Sequence, residues 1–278
     1  MCGIAGIWRA APGAELLQVA RDMASAIAHR GPDGAGAWVD DAGGPALAHR
    51  RLSIIDLSAA GAQPMAARSG RCVVVFNGEI YNHLALRREL ERDGVGFVGH
   101  SDTEVLVEAC NAWGLAATLA RVEGMFALAL WDRATRRLAL ARDRFGEKPL
   151  YYGWHRGAFV FASELKALHA WPEFRPRLDR GALALYLRHN YVPDPHCIYQ
   201  GLRKLVPGSW IEVTLDEHAA LPTPRVYWSL AQTLAPARAA PFAGDATAAT
   251  DAVEARLRDA VSLRTMADVP LGAFLSGG

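Results

Sequence analysis

Cys2 is the residue of this chain whose placement could do the most chemistry. It stands directly behind Met1, and a small second side chain usually allows the initiator methionine to be trimmed. One residue would then carry both a free α-amine and a thiol. The amine has an unperturbed pKa of about 7.7–8.0 and the thiol about 8.5, so near neutrality the amine can act as general base toward its own side chain, a recognised way to activate a nucleophile. The stretch Cys2-Gly3-Ile4-Ala5-Gly6-Ile7-Trp8 is also apolar throughout. Cysteine is a common core residue, so on that stretch alone a purely strand-forming role stays open.

Four other motifs carry polar groups suited to a substrate. Arg51 lies in Arg50-Arg51-Leu52-Ser53-Ile54-Ile55-Asp56, and Asn77-Gly78-Glu79 follows the apolar run Val73-Val74-Val75-Phe76. Asp102 lies in Ser101-Asp102-Thr103-Glu104, and His29-Arg30-Gly31-Pro32-Asp33-Gly34 closes a helical pattern. Each has an ordinary reading: a solvated strand charge, a turn with a polar exit, a helix-start carboxylate, a helix terminator. Together they meet the needs of free glutamine. The planar fork of Arg51 suits an α-carboxylate, and Asp102, helped by Glu79 or its backbone, suits an α-ammonium. The Asn77 amide and the Gly78 N–H could stabilise the oxyanion formed at the side-chain amide, and loss of one such donor typically costs roughly 2.7–4 kcal/mol of barrier.

The whole chain bounds these readings. Its 278 residues are 51% hydrophobic and 21% charged, with 30 Lys and Arg against 29 Asp and Glu, as expected of a globular protein of one or two domains. A net charge of +1 gives no bulk attraction to nucleic acid or to an anionic membrane, and favours small neutral or zwitterionic ligands. No apolar run reaches the roughly 18 residues of a membrane span, and the start lacks a signal-peptide pattern, so the expected location is cytoplasmic. The four cysteines (Cys2, Cys72, Cys110, Cys197) show no CxxC spacing and read as free thiols. No metal-ligand spacing is present among the histidines, and no metal site is expected.

The elements that must position these groups are predicted from periodicity. A strand over 2–8 leads to a helix over 16–27, and strands follow at 35–39, 46–55 and 72–76. Asn77-Gly78 predicts a tight turn at the tip of the last. Helices are expected over 82–93 and from Ser101, whose spacing to Glu104 is that of a capping box, to 113. Residues 125–132, 137–142, 150–154 and 158–162 predict a second, meandering sheet. Helices at 164–169 and 180–189 follow, the latter capped by Asp179, and then a hairpin over 201–213. The Pro- and Ala-rich stretch 221–250 reads as a connection between domains. A helix over 250–266 then leads into a buried strand, Val269-Pro270-Leu271-Gly272-Ala273-Phe274-Leu275, and the loop Ser276-Gly277-Gly278.

The motifs Cys2-Gly3-Ile4, His29 to Gly34, Arg51 to Asp56, Asn77-Gly78-Glu79-Ile80-Tyr81-Asn82 and Ser101 to Glu104 occur in an order that resembles the class II glutamine amidotransferases. Gly124-Met125-Phe126-Ala127, Arg142-Asp143-Arg144-Phe145-Gly146-Glu147-Lys148-Pro149-Leu150-Tyr151-Tyr152, Ala162-Ser163-Glu164-Leu165-Lys166-Ala167-Leu168, Asp268-Val269-Pro270 and Leu275-Ser276-Gly277-Gly278 extend the likeness to the glutamine-hydrolysing asparagine synthetases. The resemblance implies an α+β fold, a four-layer αββα N-terminal-nucleophile hydrolase sandwich over 1–212. Residues 213–278 would be a linker and the truncated start of an α/β, ATP-pyrophosphatase-type synthetase domain. It implies that Cys2 attacks the glutamine side chain, with Asn77 and Gly78 holding the oxyanion. Arg51, the backbone of Leu52, Ser53, Ile54 and Ile55, and Glu79 and Asp102 would bind the amino-acid end. Leu275, Ser276, Gly277 and Gly278 would begin an ATP-binding loop.

By the same resemblance the first domain needs no cofactor. The full-length enzyme would use ATP, Mg2+ and L-aspartate, and a homodimer is one expected assembly. Two readings compete: an amidotransferase or synthetase relative with another acceptor, and a binding domain that keeps the fold without hydrolysis.

Overall fold

The computed structural model describes residues 1–215 and 220–274. Along the chain run β1 (Gly3–Trp8), α1 (Gly13–Ala26), β2 (Gly34–Val39), β3 (Ala46–Arg51), β4 (Met65–Ala66) and β5 (Cys72–Ile80). Next come α2 (His83–Arg92), α3 (Asp102–Trp113), α4 (Leu115–Arg121), β6 (Gly124–Asp132), β7 (Arg137–Arg142), β8 (Tyr151–His155) and β9 (Ala158–Ala162). Then follow α5 (Leu165–Leu168), α6 (Arg180–His189), β10 (Leu202–Lys204), β11 (Ser209–Val213), β12 (Arg225–Val226), α7 (Leu230–Ala239) and α8 (Ala246–Arg264).

The strands form two six-stranded antiparallel sheets, ordered β10-β8-β9-β1-β3-β2 and β12-β11-β7-β6-β5-β4. Period-two alternation decides what each strand face covers. On β1, Ile4 and Trp8 face the other sheet, where Trp8 meets Trp131 edge-on at 4.9 Å. Ala5 and Ile7 face outward under α1. On β5, Val73 and Val75 point between the sheets, while Cys72, Val74 and Phe76 point outward beneath the α2 to α4 layer. The α1 residues Leu16, Val19, Ala20 and Met23 recur at helical spacing and are buried, and full burial of a Leu or Met side chain contributes roughly 1.5–3 kcal/mol. The result is four layers, αββα.

Several elements differ from their sequence-based expectation. Asn77-Gly78 is not a turn: β5 runs through it to Ile80, pairing Asn77 with Ala127 and Gly78 with Phe126. A Cβ at Gly78 would lie 2.2 Å from the Met125 carbonyl oxygen, so glycine here permits close strand approach. β3 stops at Arg51, and residues 52–56 leave the sheet. The expected meander over 125–162 is divided, because β6 and β7 join one sheet and β8 and β9 the other. The stretch 201–213 is a crossover, with β10 pairing β8 and β11 pairing β7 on opposite layers. Alternation patterns name strands but not their partners.

The expected connection over 221–250 contains β12, α7 and the start of α8, and Tyr227 Oη donates to the Arg142 carbonyl at 2.9 Å. Residues 269–274 form no strand, and Leu271 and Phe274 are exposed. Ser101 caps α3 by accepting from Glu104 N at 3.2 Å. The Glu104 carboxylate accepts from Val98 N and Gly99 N rather than returning to the cap residue. Asp179 accepts from Ala182 N as expected of a cap. Among the described residues no helix is long and apolar enough to cross a membrane.

Candidate active site

Cys2 immediately precedes β1, the strand held between β3 and β9. Its Sγ lies 3.4 Å from Leu52 N and 3.6 Å from Leu52 O. Burial pushes the thiol pKa up, and the Leu52 N–H opposes that rise. Burial also lowers the pKa of the Met1 amine next door. The motif His29 to Gly34, which reads as a helix terminator, holds this corner together. Arg30 Nε donates to the Cys2 carbonyl at 2.8 Å and Arg30 Nη1 to Glu164 Oε1 at 2.9 Å. Asp33 Oδ2 accepts from Ser53 N at 2.8 Å, and Asp33 N donates to the Arg51 carbonyl at 3.0 Å. A Cβ on Gly31 would sit 2.4 Å from the Arg50 carbonyl carbon, so only glycine lets the motif pack this close to β3.

Asn77 is 1% exposed, and both polar atoms of its side-chain amide are buried without a hydrogen-bond partner among the described residues. Native proteins rarely leave such a group unpaired, since the desolvation penalty is about 1–3 kcal/mol. The same strand edge presents a second donor. Phe76 N donates to Gln63 Oε1 at 2.6 Å and Ile80 N to Asp102 Oδ2 at 2.9 Å. Alternation therefore puts the Gly78 N–H on that edge too, beyond the β4 pairing that ends at Val74. His49 fixes the depth of this strand by reaching from β3 across the interlayer, its Nε2 donating to the Phe76 carbonyl at 3.1 Å. Burial lowers its pKa to about 3, so it is neutral at working pH.

A cavity of about 130 Å³ opens beside Cys2, lined by Arg51, Leu52, Ile54, Ile55, Asn77, Gly78, Glu79 and Asp102. Ser53 is absent from this lining, its N–H being engaged by Asp33. Leu275, Ser276, Gly277 and Gly278 lie outside the described residues. Arg51 bonds first to its own loop, donating to the carbonyls of Ile55, Asp56 and Ser58. Gln63, Thr103, Met125 and Lys148 also line the cavity, and none of them has a site role in the sequence reading, although Thr103, Met125 and Lys148 lie within motifs that carry the resemblance. Gln63 lies outside every motif, and only the fold brings it to the site. Among the described residues no cluster of His, Cys, Asp or Glu could hold a metal ion.

Two carboxyls share one wall. Burial raises the Asp102 pKa to about 6 and also raises that of Glu79, which Asp102 reinforces. With its folded pKa above its unfolded one, Asp102 destabilises the fold as pH rises through about 4 to 6, and the full penalty holds above that window. Asp102→Asn should therefore stabilise the protein by about 2 kcal/mol at pH 7.5, an advantage that vanishes near pH 4. Denaturant unfolding across that range checks this, and an unchanged midpoint at pH 7.5 would contradict it.

The family described as glutamine amidotransferase domain matches residues 1–228, and the one described as asparagine synthase matches residues 252–278. A Mycobacterium tuberculosis protein provisionally named a glutamine-hydrolysing asparagine synthetase is 40% identical over 100% of this chain and 44% of its own length. Asparagine synthetase 1 (glutamine-hydrolysing) of Bacillus subtilis is 34% identical over 100% of this chain and 42% of its own. The chain thus spans less than half the length of these relatives. The solved glutamine phosphoribosylpyrophosphate amidotransferase of B. subtilis aligns with TM-score 0.59 and 19% identity, over 81% of this chain and 49% of that one. That likeness shows a shared fold.

Proposed function

The chain belongs to the glutamine amidotransferase family, and from that premise we propose that it hydrolyses L-glutamine to glutamate and ammonia through Cys2. With Met1 removed, the α-amine of Cys2 takes the thiol proton as Sγ attacks the side-chain amide carbon. The resulting oxyanion is held by the Asn77 amide and the Gly78 N–H. Collapse breaks the C–N bond, the amine returns its proton to the departing ammonia, and water then hydrolyses the γ-glutamyl thioester. Arg51 and the 52–55 loop face the α-carboxylate, while Glu79 and Asp102 face the α-ammonium.

The unpartnered Asn77 amide, buried beside a candidate nucleophile, carries this reading. A core asparagine would be paired, whereas one awaiting an oxyanion is not. In the full-length protein the ammonia would serve ATP-dependent, Mg2+-assisted amidation of aspartate to asparagine, in the cytoplasm. The first domain in this proposal extends past residue 212 to about residue 228, since β12 pairs with β11 and Tyr227 bonds to Arg142.

Intact-mass analysis combined with a glutamate-release assay tests the amine-base mechanism. Active protein is expected to lack Met1. Full activity from chains that still carry it would show that another group takes the thiol proton.

A further inference from the structure

The end of α8 and the residues just beyond it reach back across the chain to the walls of the cavity. Arg264 stacks its guanidinium 4.6 Å from the ring centroid of Tyr81, the residue after Ile80. Asp268 makes three hydrogen bonds. Its N–H donates to the Ile54 carbonyl at 2.9 Å, its Oδ2 accepts from the Asp56 N–H at 2.7 Å, and the same oxygen accepts from His100 Nε2 at 2.8 Å. Ile54 lines the cavity, and His100 leads directly into Ser101 and Asp102, which line it as well.

Asp56 is the hinge of this arrangement. It is fully buried at φ 55°, a left-handed conformation that a residue other than glycine keeps only when its surroundings hold it. Its carboxylate accepts from Ser58 N at 3.1 Å and from His100 N at 2.9 Å, and its own N–H donates to Asp268, whose Oδ2 also accepts from the His100 ring. The 52–56 loop has left the sheet, so Arg51 from one side and Asp268 from the other hold its carbonyls and N–H groups.

We propose that Asp268 is a positioning residue of the glutamine site: a side chain from the far end of the chain ties the 52–56 loop to the loop before α3, fixing the spacing between the carboxylate-facing and ammonium-facing walls of the pocket. A loop already ordered in its bound geometry loses less freedom when ligand arrives. The inference deepens the glutamine reading and rests on it for its kinetic readout.

The test compares Asp268→Ala with Asp268→Asn in the whole 278-residue chain, by hydrogen exchange of the 52–58 segment and by steady-state glutamine hydrolysis. Asp268→Ala is expected to speed exchange at the Asp56 amide and raise KM about fivefold, with kcat within about twofold of the parent. Asp268→Asn keeps an oxygen that can accept the same two bonds and should stay near the parent in both. Unchanged exchange and KM in the alanine variant, a loss confined to kcat, or an asparagine variant as impaired as the alanine one would each overturn the proposal. If the parent chain fails to hydrolyse glutamine, the glutamine reading falls, and the exchange measurement alone still decides whether Asp268 holds the loop.

Discussion

Cys2→Ala is expected to abolish glutamine hydrolysis, lowering the rate by about 10⁴-fold or more, as removal of an attacking nucleophile does elsewhere, while the protein unfolds at nearly the same denaturant concentration. The backbone of residue 2 is held from outside its side chain, by Arg30 on its carbonyl and by the pairing of Gly3 with Arg50. Alanine there removes one sulfur atom and its contacts with Leu52, a change that should cost under about 1.5 kcal/mol. The other thiols offer no substitute. Cys72, Cys110 and Cys197 are all buried, which pushes the first two pKa values up to about 11 and about 12 and raises the third as well, and thiolate is the reactive form. Glutamate release by the purified variant, set beside its unfolding curve, checks both halves. A residual rate near the parent's would mean that Cys2 is not the nucleophile.

Asn77→Ala is expected to lower kcat by about 10²–10³-fold with little change in KM, since an oxyanion donor acts mainly as charge develops. Its effect on stability should be unusual for a buried polar residue. Truncating a well-bonded buried asparagine strands its partners, but this side chain has none among the described residues. The penalty for burying it unpaired, about 1–3 kcal/mol, disappears with it and offsets the cavity left behind. A large kinetic loss with an unfolding free energy equal to or above the parent's is the expected signature. A rise in KM at constant kcat would place Asn77 in ground-state binding instead, and a marked loss of stability would show that its amide is satisfied in solution.

The polar groups of the site were legible in the sequence because each stands in a short motif whose chemistry is local: Cys2 at the start, Arg51, Asn77-Gly78-Glu79, Asp102 behind its Ser101 cap. What they do structurally was less legible. Asn77-Gly78 has the composition of a tight turn, and nothing within a few residues shows that it is instead a strand edge crowded by Met125. Arg30 and Asp33 read as a helix terminator, yet they grip Cys2 and the 51–53 loop across the fold. Gln63 comes to the site beside the β4–β5 pairing and bonds to Phe76, and His49 reaches Phe76 only because the two sheets stack, neither of which periodicity encodes. The strands themselves were largely visible, whereas their division between layers was not. The pairing of β1 with β9 rather than with a near neighbour depends on side chains some 150 residues apart.

That pairing also sets an order of events during synthesis. Among the described strands β1 is made first, but one of its two partners, β9, spans Ala158–Ala162. At 5–20 residues per second, that partner is made about 8–30 s later. The start of the chain is among the first segments made and among the last to be locked in place. For that interval β1 can pair on one side only, with β3. The topology thus leaves β1 with one open edge until residue 162 has been made, while Met1 itself stays exposed in the finished fold.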